Sequence, residues 1–413
     1  MRILHVNKFL YRRGGAESYM LDLARLQEES GHSVAFFAMK HPQNLPSRYE
    51  KHFPSHVELE PMPAGVTGKA VGAGRVLFSP TALRGMAKVI RDFRPDVAHL
   101  HNIYHQLSPS ILRPLASANI PTVMTLHDYK LACPTYRFLD KGRICEACLG
   151  GHFRQAALRR CNRGSLAASG LNALEMRLHF STGAYDPVHL FLCPSRFLER
   201  KMREAGVYPE RLRHLPLFVE TAAVEPKSQP GGGAVFAGRL SHEKGVDVLV
   251  KAAGSAGVHL DVAGEGPELQ ALQRLASQAA DGMVTFHGRL PLAGVRELLS
   301  ACSVAVLPAR WYENQPLSIL DAFASGVPVI GSHLGGIPEL IEDRVDGYLV
   351  PAEDSAALGS KLRLIADLPG TSFEMGLAGR RKIEEDFSPA RHLAGLEVSY
   401  AEAAGRAAVG AAG

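Results

Sequence analysis

A chain of 413 residues is too long for one hydrophobic core, so two domains are the first expectation. With 21% charged and 46% hydrophobic residues it reads as soluble and globular, and it holds no run of about eighteen apolar residues able to span a bilayer. A net charge of +5 and a pI ≈ 8.8 suit anionic ligands or an anionic membrane face and fall short of a nucleic-acid binder.

The opening MRILHVNKFLYRRGG turns polar too soon for a signal peptide, so the expected compartment is the cytoplasm. In chain order, short apolar β-branched runs recur: RILHVN, SVAFFA, DVAHLH, PTVMTLH and HLFLCP, then AVFAGR, HLDVAG, MVTFHG, VAVLP and VPVIG. Continuous apolar runs predict strands buried on both faces, as in parallel sheets. Helical stretches lie between them; in 17–29, Met20, Leu23 and Ala24 share one face. The βαβα alternation therefore predicts a doubly wound α/β fold, and it occurs twice. FVETAAVEPKSQPGGG, residues 218–233, is rich in Pro and Gly without periodicity and reads as a linker. The expected division is 1–217, a linker at 218–233, 234–385, and a last helical stretch at 386–413 whose Ala/Gly-rich end frays or is disordered. Ligands of such sheets bind beyond the carboxyl ends of the strands, so the cleft between the domains is the expected site.

The motifs follow those strand ends. RRGGAES carries Gly14 and Gly15, which let the backbone approach a phosphate or sugar closely. HLHN ends a strand with His101 and Asn102, candidates to face an acceptor. TLHDYKLACP ends another with His127 and Asp128, the acid placed to orient the imidazole. A lone histidine at a strand end is more often structural. Cys133, Cys145, Cys148 and Cys161 have the ligand count of a structural zinc site, but a second CxxC is missing, and reduced or paired thiols stand equal as the alternative. HFRQAALRRCNR, 152–163, has four arginines and no acid: a solvated cationic face by default, or a dock for anionic lipid at the inner membrane face.

In the second half, GRLSHEKG places Arg239 and Lys244 in a strand-to-helix loop, where two cations beside helix amides suit a diphosphate. GEGPE brings Gly264, a turn glycine that also permits close backbone approach. WYENQPLSILD sets Glu313 before a helix and Asp321 about one and a half turns into it, with Asn314, Gln315, Pro316 and Leu317 at the helix start. The amides after Gln315 are expected to be free donors, and a carboxylate is a bidentate acceptor for vicinal hydroxyls. GGIPE, 335–339, opens the next glycine loop.

This set resembles the donor site of the retaining GT-B glycosyltransferases of family 4: an acid, seven residues, a second acid, then GxPV and GGxPE, preceded by GRL and EKG. The resemblance covers nearly the whole chain, including GGAE and the central HD. It implies two Rossmann-like domains facing across a cleft, an N-terminal acceptor domain and a C-terminal nucleotide-sugar domain, with the last helix returning to the first. It implies transfer of a hexose or hexosamine from a UDP- or GDP-sugar to an acceptor hydroxyl with retention, in polysaccharide, glycolipid or glycoconjugate biosynthesis. The acceptor is a saccharide, a lipid-linked molecule or a small metabolite. By this resemblance Glu313 contacts the sugar, Asp321 stands where the family carries a ribose-binding Glu, Arg239 and Lys244 bind the diphosphate, and His127 lies near the sugar. Asn314-Gln315 replaces the family's usual Phe-Gly. No D-x-D triplet is present, in keeping with catalysis that needs no metal cofactor. The rivals are a GT-B UDP-sugar epimerase, an NAD(P)-dependent oxidoreductase with paired Rossmann domains, and a non-catalytic sensor. The first needs acid/base groups on both sides of the sugar. The second needs G-x-G-x-x-G, which RRGGAES lacks.

Overall fold

The computed structural model describes residues 1–57, 72–222 and 224–412. All ten apolar runs are strands, and they assemble into two six-stranded parallel sheets. The first sheet is built from β1 (Arg2–Val6), β2 (Ser33–Phe37), β3 (Val97–Leu100), β4 (Thr122–Thr125), β7 (Leu190–Cys193) and β8 (Leu212–His214), in the order β2-β1-β3-β4-β7-β8. Strands β5 (Leu139–Asp140) and β6 (Arg143–Ile144) form a separate antiparallel hairpin.

The second sheet contains β9 (Ala234–Ala237), β10 (Leu260–Ala263), β11 (Val284–Gly288), β12 (Val304–Leu307), β13 (Val329–Ser332) and β14 (Gly347–Val350), in the order β11-β10-β9-β12-β13-β14. In each sheet the winding reverses beside one strand, β1 in the first and β9 in the second. The strand ends next to those reversals, β1 with β3 and β9 with β12, are where ligands of open parallel sheets bind.

Each sheet buries its own core. Leu4, Val6, Phe37, Leu100 and Met124 belong to the first, and Val235, Phe236, Val262, Val306 and Ile330 to the second. The helix Gly15–Glu29 buries Met20, Leu23, Ala24 and Gln27 on one face, three apolar groups and one amide. A further apolar layer lies between the first sheet and the last helix, Pro389–Ala412: Leu396, Tyr400 and Ala403 pack on Ile3, Leu23, Val97 and Leu190. The end expected to fray is helical through Ala412, and Gly413 lies outside the described residues. Among the described residues no helix is long and apolar enough to cross a membrane.

Candidate functional site

The loop after β12 carries the site's charged centre. Glu313 is 6% exposed, and its Oε1 accepts from Lys244 Nζ at 2.6 Å and Trp311 Nε1 at 2.7 Å. Lys244 comes from the loop after β9 and also lies 5.5 Å from the Trp311 ring. Two loops from neighbouring strands thus converge on one carboxylate, which only the β9–β12 pairing makes possible. Gly335 and Gly336 explain the GG of the next loop. Gly335 has φ +66°, and a Cβ there would run into the backbone of Glu313, so only glycine lets the loops touch.

The amide pair departs from its expected role. Asn314 Oδ1 accepts from Ser195 Oγ at 2.8 Å, and its Nδ2 donates to the Leu126 carbonyl at 3.0 Å. Gln315 exchanges two bonds with the Leu217 backbone, at 2.7 and 3.3 Å. Both side chains therefore brace the second domain against the first instead of facing a donor. Glu339, the acid of GGIPE, joins them: its carboxylate accepts from the amides of Arg196 and Phe197 at 2.7 and 2.6 Å, capping the helix Arg196–Glu204 from the other domain. Tyr312 packs against Phe197 within the same contact, ring centroids 4.7 Å apart and planes tilted by 60°.

The helix Leu317–Ala324 has Pro316 as its N-cap, so it begins one position later than expected, and no side chain caps this end. Leu317 approaches the Gly15 loop across the cleft. Gly14, Gly15, Tyr19, Arg296, Leu317 and Asp321 line a cavity of about 940 Å³ that Arg12, Arg13, Arg25 and Arg289 make strongly cationic. Arg12 pairs with Asp22 at 3.1 Å, and Arg25 with Glu29 at 2.5 Å and with Glu220. Asp321 also borders an apolar slot of about 300 Å³ formed by Val235, Leu290, Val295, Leu299 and Ile319. The Asp321 carboxylate has no protein partner among the described residues, and burial pushes it up to about 6. A half-buried acceptor in that state gains most from a ligand bringing hydroxyl donors. Arg239 is exposed and lines a separate cavity of about 430 Å³ between the domains, with Arg137, Arg163, Glu243 and Glu268. Of the phosphate pair expected from the sequence, only Lys244 meets Glu313.

In the first domain, His127 is held by His101, whose Nδ1 lies 3.0 Å from His127 Nε2. Three expectations change here. His101 is fully buried and cannot face an acceptor. Asp128 does not orient His127: it accepts from the Lys130 amide at 2.9 Å. Asn102 is half-buried, and its Oδ1 accepts from Tyr104. Gly264 is also reassigned: it sits against the Gly238 carbonyl and donates to Gly288 at 2.7 Å, tying the ends of β9, β10 and β11 together away from both cavities.

The zinc expectation gains no support. All six cysteines are free thiols; burial first, and then the neighbouring cysteines of the set, raise Cys148 to about 12 and Cys161 to about 11. A tetrahedral thiolate site needs sulfurs about 3.8 Å apart. Among the described residues the one group of three potential ligands within 4.8 Å is His5, His99 and His101. Their six ring nitrogens are all taken by Gln27, His127, Tyr400, Thr125 and one another, which leaves no lone pair for a metal.

Sequence reasoning missed Trp311, Arg289, Arg296 and the interdomain role of Glu339. It also missed the buried pair Lys130–Glu175, bonded at 2.7 Å behind the His127 loop. The polar Gln27 on an otherwise apolar helix face was a usable signal for the network around His5.

Comparison with known proteins agrees with this geometry. Residues 13–223 match the family model described as Glycosyltransferase Family 4, and residues 232–367 the one described as Glycosyl transferases group 1. The alpha-maltose-1-phosphate synthase of Mycolicibacterium smegmatis is 37% identical over 178 residues, 38% of this chain and 44% of that protein. The 2-deoxystreptamine N-acetyl-D-glucosaminyltransferase of Streptomyces fradiae is 29% identical over 289 residues, 67% of this chain and 64% of that protein. The chain thus spans less than half the length of the first of these relatives and just under two thirds of the second. Among solved structures, sucrose-phosphate synthase from Thermosynechococcus elongatus superposes with a TM-score of 0.70 at 18% identity, covering 96% of this chain and 98% of that one. Anabaena HepE in complex with UDP superposes at 0.68 and 16% identity, covering 97% and 100%. The fold is GT-B.

Proposed function

We propose that this chain, which belongs to glycosyltransferase family 4, moves a sugar from a nucleoside diphosphate sugar to an acceptor hydroxyl with retention at the anomeric carbon. The observation that carries the reading is the Glu313–Lys244 pair beside an uncapped helix start and the cavity holding the unpartnered Asp321. In this reading the apolar slot takes the base and Asp321 the ribose hydroxyls. Lys244, Arg296 and the amides at Leu317 neutralise the diphosphate as it leaves. Glu313 and His127 hold the sugar. The bond from the anomeric carbon to the phosphate oxygen breaks, the bond to the acceptor oxygen forms on the same face, and the leaving phosphate takes the acceptor's proton. Domain contact keeps water from the reacting carbon.

A thermal-shift titration tests the donor side. UDP or GDP at about a hundred times its dissociation constant should stabilise the protein by about 2.7 kcal/mol, a rise of several degrees. NAD should give no shift. A rise with NAD and none with UDP or GDP would move the protein to the dinucleotide class.

The finer partner in this reading is an anionic bilayer presenting the acceptor. Leu158 is 70% exposed, and the helix Leu166–Ser181 exposes Leu166 and Leu174 at 56% and 55%. Arg159, Arg160 and Arg163 line a surface cavity with Leu158, and the inner side of the helix Leu166–Ser181 adds Ala168, Leu171 and Asn172 to the cavity that holds Arg239. Leucines rimmed by arginine suit insertion among anionic headgroups. The protein should sediment with phosphatidylglycerol vesicles and not with phosphatidylcholine, and Leu158→Ser with Leu174→Ser should abolish it. Absence of salt-sensitive sedimentation with the anionic vesicles refutes the docking.

A further inference from the structure

We propose that a chain of buried hydrogen bonds beginning at the Pro216 carbonyl fixes which nitrogen of His127 carries its proton, leaving Nδ1 as a bare acceptor toward the cleft. The inference concerns the His127 of the reading above; the relay itself is argued from geometry alone.

A carbonyl oxygen only accepts, so His392 Nδ1, 2.7 Å from Pro216 O, carries the hydrogen. Neutral His392 then offers a lone pair at Nε2, and Tyr19, 2.8 Å away, must donate its hydroxyl hydrogen to it. The Tyr19 oxygen can now only accept, so Thr125 donates to it. Thr125 in turn accepts from His99 Nε2 at 2.7 Å, which leaves His99 Nδ1 to accept from Tyr400 at 2.9 Å. The Tyr400 oxygen therefore accepts from the Gln27 amide nitrogen at 3.1 Å, and this turns the Gln27 carbonyl toward His5.

The second half of the relay follows. Gln27 Oε1 accepts from His5 Nε2 at 2.7 Å. His5 Nδ1 accepts from His101 Nε2 at 3.1 Å, and His101 Nδ1 accepts from His127 Nε2 at 3.0 Å. His127 thus spends its only N–H inward. Its Nδ1 has no partner among the described residues, and the peptide around it touches the Glu313 loop through the Leu126 carbonyl and Tyr129. Burial holds His5 and His392 near 4 and His127 near 3, so the rings are neutral at working pH and the one-proton-per-ring count applies.

The opposite polarity needs the Gln27 amide turned over and Thr125 donating to His99, which forfeits the Thr125–Tyr19 bond. Gln27 is therefore a positioning residue for His127, held by Tyr400 and His392 of the last helix. A neutral lone pair at His127 Nδ1 accepts a sugar hydroxyl and repels a carboxylate, so the donor class is a hexose offering a hydroxyl there and not a uronic acid.

Nitrogen-15 NMR of histidine-labelled protein tests the relay without any assay of turnover. The His127 signals, identified by their loss in His127→Ala, should show Nε2 protonated and Nδ1 bare. A protonated Nδ1 overturns the proposal. Tyr400→Phe removes the acceptor that holds the Gln27 amide nitrogen and should mix the two tautomers, and adding Gln27→Glu, an acceptor only, should restore the single form. A structural role for Tyr400 alone would not be rescued by a buried carboxylate, so failure of the rescue also overturns it. In turnover, kcat/KM for UDP-glucose should exceed that for UDP-glucuronic acid by roughly tenfold or more, and equal values overturn the donor class. No turnover with any sugar nucleotide would refute the transferase reading while the NMR result still decides the relay.

Discussion

Lys244→Ala is expected to lower kcat by about 10²–10³-fold, the cost of removing one preorganised group from a developing charge. Lys244 Nζ sits 2.6 Å from Glu313 Oε1, so the cation is placed before any ligand arrives. Glu313→Gln should fall by a similar factor, because the amide keeps the shape but no longer holds the ammonium in place. The double variant should be scarcely worse than either single one, since residues acting as a unit lose their effect together. Lys244→Ala should also cost some stability, because it leaves the 8%-exposed Glu313 side chain with the Trp311 N–H but no counter-charge. Steady-state kinetics with saturating donor decide this. A kcat within threefold of the parent in either single variant would remove the pair from the site.

Lys130→Met should give the largest loss of stability, about 3–5 kcal/mol, by leaving the buried Glu175 carboxylate with only the His105 ring, 3.3 Å away, beside it. The two side chains are 1% and 0% exposed and bonded at 2.7 Å, with the Pro134 carbonyl taking a further bond from Lys130 at 3.0 Å. Burial alone would raise Glu175, but contact with His105 and Lys130 outweighs it and brings the carboxyl to about 2. Burial lowers His105 and favours its neutral form, so Lys130 is the standing counter-charge. The lowered Glu175 stabilises the fold fully above its ordinary value of 4.5, and that stability drains away as pH falls from 4.5 toward 2. Denaturant melts at pH 7 and pH 3 should show the Lys130→Met penalty shrinking in acid, and Lys130→Met with Glu175→Met should recover most of the loss. An equal penalty at both pH values would mean that packing, not charge, holds the pair.

The strands were legible because doubly buried parallel strands write themselves as unbroken Val, Ile, Leu and Phe runs. β8 and β14 escaped because LRH and GYLV are short and carry polar or glycine positions. At the site, Glu313 and Lys244 were legible as motif residues, but their meeting depended on β9 lying beside β12. The work of Asn314, Gln315 and Glu339 was not legible, since each bonds a backbone 98 to 188 positions away. His5 and His99 read as stray polar residues in apolar strands. Their rings lie 5.3 Å apart only because β1 and β3 pair with those two positions in register.

The chain crosses between the domains twice, once through the linker and once where the second domain hands over to the last helix. The two crossings are stitched side by side, Val219 donating to the Phe387 carbonyl at 3.1 Å. One strand of peptide would be a swivel, free to twist in any direction. Two strands bonded together resist twisting and leave bending as the easy motion, like a door on paired pins. That restraint favours one placement of the Glu313 loop, with Asn314 against Leu126 and Ser195. The last helix, which supplies the second pin, is also the element that carries His392 and Tyr400, so alignment of the halves and the proton order at His127 depend on one piece of the molecule.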